Sequence, residues 1–444
     1  MGKYFGTDGV RGRANEGLNL DIAIKIGQYL GTYYGKTKHA KILIGKDTRI
    51  SSSMFENGLA AGASSCGANV YLLGVCPTPS VSYLVAKEDF DCGIMVSASH
   101  NPYYDNGIKL FNSEGKKMDQ AILDLVEDYI DGKIKIEPKY DDEIGEILVW
   151  QDGILHYEDM LKEHFDMHLC GYNIALDLAN GSATSCAADV LRSLGAHVEV
   201  IHGRPNGVNI NTKCGSTQPK SLSEFVKQGD FHVGFAFDGD ADRLIAVDED
   251  GNIIDGDAIL YICSNYMSRK KLLKDNIVVT TIMSNIGLYK ALERANIEYK
   301  QTDVGDKYVF ECMSNENYSL GGEQSGHIIF KEYANTGDGL LSALYLLRVM
   351  NSTKQSLKQL SEDLFIYPQL LINVKVKDKK QALNDKKLDE LVASVAQKLG
   401  NDGRILVRPS GTEPIIRVMV EAKTSELCDL YVNEVVSYVK MKGL

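Results

Sequence analysis

A chain of 444 residues, 44% hydrophobic and 24% charged, can bury more than one core and is expected to fold as several domains. Its net charge of -12 and pI near 5.3 exclude a broad nucleic-acid surface, because phosphate backbones need a basic footprint that no stretch supplies. The opening Met1-Gly2-Lys3-Tyr4 has no secretion-signal core and no later apolar run reaches membrane-spanning length, so a cytoplasmic protein with no membrane partner is expected.

Three stretches repeat one plan of apolar strand, polar turn and helix. Lys41 to Ile44 turns through Gly45-Lys46-Asp47-Thr48-Arg49 into a helix from Ser51 to Ser53 that stops at Gly67. Asn173 to Leu178 turns at Ala179-Asn180-Gly181-Ser182 and continues as a helix before Gly195, and Asn276 to Thr281 turns at Met283-Ser284-Asn285 into a helix from Ile286. After Tyr367 the pattern becomes strand (Leu370 to Val376), helix (Leu388 to Leu399), strands near Ile405 and from Ile415 to Glu421, then helix (Ser425 to Val439) with Leu427, Leu430, Tyr431, Val435 and Val439 at helical spacing. The expected fold class is α/β: three similar mixed α/β domains (1–150, 151–250, 251–367) and a smaller C-terminal α+β domain (368–444) around a central cleft, with binding loops at strand carboxyl ends. Nine cysteines, an odd number without a C-x-x-C pair, indicate neither a disulfide framework nor a zinc site and read as small buried hydrophobes.

Four loops carry chemistry. After the apolar run Gly93 to Val96, Ser97-Ala98-Ser99-His100-Asn101-Pro102 presents a hydroxyl on a rigid scaffold beside a histidine, with Lys109 ten positions on, which suits a nucleophile; a lone Ser-His pair also fits a polar turn. Asp238-Gly239-Asp240-Ala241-Asp242-Arg243 sets carboxylates at every second position, able to fold around one hard cation. An EF-hand is disfavoured there, because Arg243 occupies the glycine position and Leu244 to Val247 read as a strand. Gly321-Gly322-Glu323-Gln324-Ser325-Gly326-His327 offers groups for sugar hydroxyls, and alone is weak. Arg408-Pro409-Ser410-Gly411-Thr412-Glu413-Pro414, with Arg417 beyond, suits a phosphate nest as well as a plain turn. Their conjunction, one loop to each domain, is more specific than any one alone.

At these residues the chain resembles the α-D-phosphohexomutase superfamily over essentially its whole length. The resemblance implies that Ser99 carries a phosphoryl group and that Asp238, Asp240, Asp242 and the Ser99 phosphate hold Mg2+. It also implies that Glu323, Ser325 and His327 contact the sugar, and that Arg408, Ser410, Gly411, Thr412 and Arg417 bind the distal phosphate. The opening Phe5-Gly6-Thr7-Asp8-Gly9-Val10-Arg11-Gly12 and Gln324, where relatives acting on neutral hexoses usually have methionine, look like the branch acting on glucosamine phosphates. Lys307 stands where arginine is usual, losing the planar fork.

The implied reaction moves phosphate between the 6- and 1-positions of glucosamine through a 1,6-bisphosphate, with a hexose or glucosamine 1,6-bisphosphate as activator, feeding UDP-N-acetylglucosamine synthesis. The alternative is a phosphoglucomutase or phosphomannomutase. Lys109, with His100 as second choice, is the expected proton carrier, while Arg11, Lys46 and Arg243 are expected to stabilise charge. A small phosphosugar is the expected partner, and the resemblance suggests a homodimer.

Overall fold

The computed structural model describes residues 2–6, 8–36, 39–409 and 415–442. They form two compact units: Met1–Ile282 with Ile297–Ser361, and Met283–Asn296 with Glu362–Leu444. The first unit contains three sheets of seven, five and four strands, and the second unit one sheet of three.

The three larger sheets share a motif. Parallel strands form the middle, and the last of them turns back into an antiparallel partner. In the seven-stranded sheet Lys41–Lys46 lies parallel to Asn69–Val75 and Cys92–Val96, and Cys92–Val96 returns as Asp105–Asn112. In the second sheet Asn173–Asp177 lies parallel to His197–Ile201 and Val233–Phe237, which returns as Leu244–Val247. In the third Ile277–Thr281 lies parallel to Glu298–Thr302 and Leu320–Gly322, which returns as Ile328–Phe330. Strands such as Cys92–Val96 and Val233–Phe237 are buried at every residue, the result expected when helices cover both faces of a parallel sheet and no polar face is needed.

Burial patterns explain the helices. Leu20–Tyr34 starts at Asn19, whose side chain accepts from the Ile22 N–H, and buries Ile22, Ala23, Ile26 and Leu30. It crosses Ser52–Ser65 with backbones nearly touching: a Cβ on Gly62 would press into the Ile24 carbonyl, and one on Gly27 into the Leu59 carbonyl. Only glycine permits that approach, which seats both helices over the first sheet.

Three expectations differ in detail. The helix predicted after Ser182 is a 3-10 turn, Ser182–Ser185, followed by a short α-helix, Ala187–Ser193; Cys186 between them has φ -149, outside helical space. In the final helix, Ser425–Lys442, the buried stripe is Cys428, Val432, Val435, Val436 and Val439, whereas Leu430 is 58% exposed. Residues 428, 432, 435 and 439 keep the spacing of one helical face, and Leu430 lies off it. The cysteines are not uniformly buried either: Cys170 is exposed and Cys312 half-buried. No helix among the described residues is long and apolar enough to cross a membrane.

The glycine contact yields a prediction. Replacing a helical glycine by alanine should gain about 1 kcal/mol of propensity, but overpacking costs about 1–3 kcal/mol. With the obstruction a backbone carbonyl, Gly62→Ala is expected to lower the urea midpoint, and a raised midpoint contradicts the packing account.

Candidate active site

The strand Cys92–Val96 delivers Ser97-Ala98-Ser99 to its carboxyl end, where Ser99 has φ +50, in the left-handed region that non-glycine residues seldom adopt. A buried clamp holds it there. Asp47 accepts from Ser97 Oγ at 2.7 Å, Ser52 Oγ at 2.7 Å and Arg49 Nε at 2.8 Å. The Arg49 fork then reaches the carbonyls of Ser99 (2.8 Å), Asn101 (2.9 Å) and Pro102. Ser97 Oγ also accepts the Ser99 N–H at 2.9 Å. Neither Asp47 nor Arg49 exposes any side chain, so the guanidinium's desolvation is offset by its paired carboxylate and three carbonyls.

The second loop arrives from Val233–Phe237. Ser99 Oγ donates to Asp238 Oδ2 at 2.6 Å, so residues 139 positions apart meet directly. Asp240 Oδ2 accepts from Thr78 Oγ1 at 2.6 Å and from Lys109 Nζ at 2.8 Å, and Lys109 also reaches Asp242 Oδ2 at 3.0 Å and Asp8 Oδ2 at 3.0 Å. Carboxylate oxygens of Asp238, Asp240 and Asp242 lie within 4.8 Å of one another. Burial, then repulsion from Asp242 and Asp240, pushes Asp238 up to about 8. For Asp242 burial acts upward, but the Lys109 ammonium and the neighbouring His327 and Arg243 prevail and hold it well below the usual range. Burial works against the Lys109 charge, yet Asp240, Asp242 and Asp8 outweigh it and hold the lysine firmly protonated.

Those oxygens fit a hard divalent cation. Asp240 Oδ1 and Asp242 Oδ1 are buried without a hydrogen-bond partner, and both carboxylates crowd the Asp238 carboxylate that takes the Ser99 hydroxyl. Acceptors left bare in low dielectric are costly, and all-oxygen donors suit Mg2+ better than zinc.

Around this centre Arg11 pairs with Asp8 at 2.6 Å and Arg243 Nε lies 3.9 Å from Asp242. Both Nε atoms are buried without a partner, leaving cationic donors for an anion. His100 Nδ1 is 3.4 Å from Ser99 Oγ; burial, then Arg243 and Arg11, pushes its ring down to about 4, so it is neutral at pH 7. Lys46 is drawn away instead, tied to Glu56 and Ser53.

The third loop is mixed. Glu323 accepts the Gly305 N–H at 3.1 Å, and burial pushes its carboxyl up. Ser325 is exposed. His327 is buried beside the acidic loop, with the Gly337 N–H 2.9 Å from Nε2 and Nδ1 lying 3.7 Å from Asp242. Burial works against charge on the ring, but Asp242 and then Asp306 push it up to about 9, so Nδ1 carries a proton toward that carboxylate. Lys307 lies apart from the acidic cluster, 3.8 Å from Glu311, and lines a cavity of about 340 Å³ that also touches Asp8, Lys109, Lys117 and Asp306.

In the second unit Gly403–Pro409 returns as Ile415–Ala422, with Arg408 directly opposite Arg417. Like charges so paired repel; Arg417 helps burial lower the Arg408 guanidinium, and the Nε atoms of both are buried and unpartnered. The pair could hold an anion. Ser410, Gly411 and Thr412 lie outside the described residues.

Asp8, Thr78, Asn211, Lys117 and the Asp47–Arg49 clamp belong to the surroundings of the site although no motif above assigns them a role. Asp8 and Asp47 sat in motifs already singled out, and their carboxylates were the available signal. Asn211, whose Nδ2 donates to the Ser99 carbonyl at 2.8 Å, had none, since that contact exists only across two sheets.

Comparison with known proteins agrees. Family models for phosphoglucomutase/phosphomannomutase match as α/β/α domain I at residues 2–137, domain II at 156–251, domain III at 255–366 and the C-terminal domain at 371–437. A phosphoglucosamine mutase of Lachnoclostridium phytofermentans is 54% identical, covering 100% of this chain and 99% of its own. One of Bacillus subtilis is 48% identical over 99% of each. Among solved structures, a Burkholderia thailandensis phosphoglucomutase/phosphomannomutase family protein superposes with TM-score 0.80 at 23% identity, covering 99% of this chain and 97% of its own. Aspergillus fumigatus N-acetylphosphoglucosamine mutase, solved with GlcNAc-6P and magnesium, gives 0.70 at 17%, covering 99% and 96%. Four matched models spanning most of the chain, and full-length relatives at half identity, establish that this protein belongs to the phosphoglucomutase/phosphomannomutase family of phosphosugar mutases.

Proposed function

We propose that the protein interconverts glucosamine 6-phosphate and glucosamine 1-phosphate, with Ser99 as phosphoryl carrier and the 1,6-bisphosphate as intermediate. The observation that carries the reading is the 2.6 Å contact between Ser99 Oγ and Asp238, inside a cluster of three carboxylates with unpartnered oxygens. The amino-sugar preference, over the neutral-hexose alternative, rests on the full-length relatives named phosphoglucosamine mutase.

Asp238, Asp240, Asp242 and the Ser99 phosphate would hold Mg2+. When bound there, the ion supplies fixed positive charge that offsets the negative charge of the transferring group. In the forward direction the P–O bond to Ser99 Oγ breaks as a new one forms to the sugar O1, the O1 hydroxyl losing a proton to the proton carrier and the leaving Ser99 Oγ gaining one from it. After the intermediate reorients, the 6-phosphoryl group returns to Ser99 Oγ, whose proton passes back through the same carrier to the sugar O6.

Arg11 and Arg243 balance charge on the group in transfer. Glu323 and Ser325 take sugar hydroxyls, with Lys307 contributing charge to substrate binding, and His327 orients Asp242. Arg408, Arg417 and the 410–412 segment take the phosphate that is not reacting. Lys109 is our assignment for the proton carrier. The carboxylates that touch it favour its protonated form, so it gives its proton to the leaving oxygen, Ser99 Oγ in the first transfer and the sugar O6 in the second, and as the amine takes the proton of the attacking hydroxyl. His100, neutral and 3.4 Å from Ser99 Oγ, is the competing assignment. A bisphosphate activator, which would first load Ser99, a cytoplasmic location, a homodimer and a product consumed in making UDP-N-acetylglucosamine complete the proposal.

Two experiments test it. Incubation with glucose 1,6-bisphosphate followed by phosphopeptide mapping should label Ser99, and Ser99→Ala should lose the label and at least about 10³-fold in turnover; a label on another residue rejects the carrier. Single-turnover transfer from the phosphorylated enzyme should slow by about 10²–10⁴-fold in Lys109→Ala, and a wild-type rate there transfers the role to another group.

A further inference from the structure

We propose that Asp177, His202 and Cys214 form a second metal site, for a zinc-type ion, which shares no residue with the acidic cluster. Asp177 ends the strand Asn173–Asp177, and His202 directly follows His197–Ile201. These strands pair in parallel with Asp177 opposite Ile201, so carboxylate and imidazole leave the sheet at the same end. Cys214 is brought there by its neighbours: the Gly215 N–H donates to Asp177 Oδ2 at 2.8 Å, and the Ser216 N–H to the Phe237 carbonyl at 2.8 Å. One ligand atom from each of the three side chains lies within 4.8 Å of the other two.

Two features separate this from an ordinary buried polar cluster. His202 Nδ1 is buried and has no hydrogen-bond partner, although it lies only 3.1 Å from Asp177 Oδ2. The pair is close but misaligned for a hydrogen bond, as two metal ligands aimed at one point would be; tetrahedral bonds of about 2.0–2.2 Å set such atoms about 3.3–3.6 Å apart. The Asp177 carboxylate is also held in place, because its Oδ1 accepts the Ala179 N–H at 2.9 Å and each oxygen keeps a second lone pair. The hydrogen-bond contact of Cys214 Sγ, to Asn180 Nδ2, is long at 4.0 Å.

The donor set decides the ion. Thiolate, imidazole and carboxylate suit Zn2+ and its first-row neighbours, whereas Mg2+ prefers oxygen alone. Binding would release the thiol proton to solvent. The His202 side chain is 32% exposed, which leaves room for water as a fourth ligand. Complete burial of Cys214 excludes the rival use of the trio as a thiol nucleophile, because no substrate atom could reach the sulfur. The ion would tie together loops that brace the carrier serine: Asn211, which donates to the Ser99 carbonyl, also donates its N–H to Ala179 O at 2.9 Å, and Asn180 O accepts from Thr48 Oγ1 at 2.6 Å.

The test is titration of the chelator-stripped, full-length protein with Co2+ in saturating Mg2+, read by absorbance. We expect one equivalent to give a thiolate-to-cobalt charge-transfer band that Zn2+ displaces, that Cys214→Ala abolishes, and whose affinity falls at least about tenfold in His202→Ala. The acidic cluster has no sulfur and cannot produce that band. Absence of the band in the wild type, its persistence in Cys214→Ala (which would point to exposed Cys170), or unchanged affinity in His202→Ala overturns the proposal. The wild-type and His202→Ala measurements stand even if Cys214→Ala does not fold.

Discussion

Three buried carboxylates crowded together, one of them holding a serine hydroxyl, are the constraint from which the rest of the site follows. Two like charges 4.8 Å apart at the effective dielectric of a protein repel by about 3–4 kcal/mol, so three together cannot stand without compensation. Lys109 supplies part of it through contacts to Asp240, Asp242 and Asp8, and Arg11 and Arg243 stand close by. One ammonium ion still leaves oxygens of Asp240 and Asp242 bare. The cluster is therefore stable enough to fold and incomplete enough to bind a cation beside the serine. The same charge balance explains why Lys109 is strongly protonated when the carboxylates are its main partners.

The fold solves the placement problem three times in one way. Each of three chemical loops joins a strand to its antiparallel return: Cys92–Val96 to Asp105–Asn112, Val233–Phe237 to Leu244–Val247, and Leu320–Gly322 to Ile328–Phe330. A hairpin anchored on both sides by ladder hydrogen bonds holds its tip more precisely than a free loop could. At Ser99 the anchoring is reinforced, since a left-handed φ on a serine persists only where its surroundings over-determine it. The Asp47–Arg49 clamp does so from one side and Asn211 from the other.

Much of this was legible in the residues. The buried strands read as unbroken apolar runs, and alternating aspartates on a short turn signalled the acidic cluster. Less legible was whatever depends on contact between distant segments. Lys109 was recognised, but its partner Asp8 was not, because their meeting requires the Gly9–Arg13 strand to pair with Asp105–Asn112. His327 closes a Gly-bracketed polar loop, but its burial between the Gly337 N–H and Asp242 depends on segments the loop's own sequence does not show. Leu430 matched helical spacing, yet the true stripe begins at Cys428, a residue easily passed over as apolar. The Asp177, His202 and Cys214 group has no spacing signature, since its members come together only through parallel strand pairing and the loop contact that seats Cys214.

The central claim is that Ser99 and the three aspartates act on a single cation. Electron-nuclear double resonance on the phosphorylated enzyme loaded with Mn2+ in place of Mg2+ tests it directly. The account predicts a phosphorus-31 hyperfine coupling strong enough for a directly bound phosphate oxygen, absent from the Ser99→Ala protein. Manganese bound at the aspartates of a phosphorylated, active enzyme with no such coupling would contradict it.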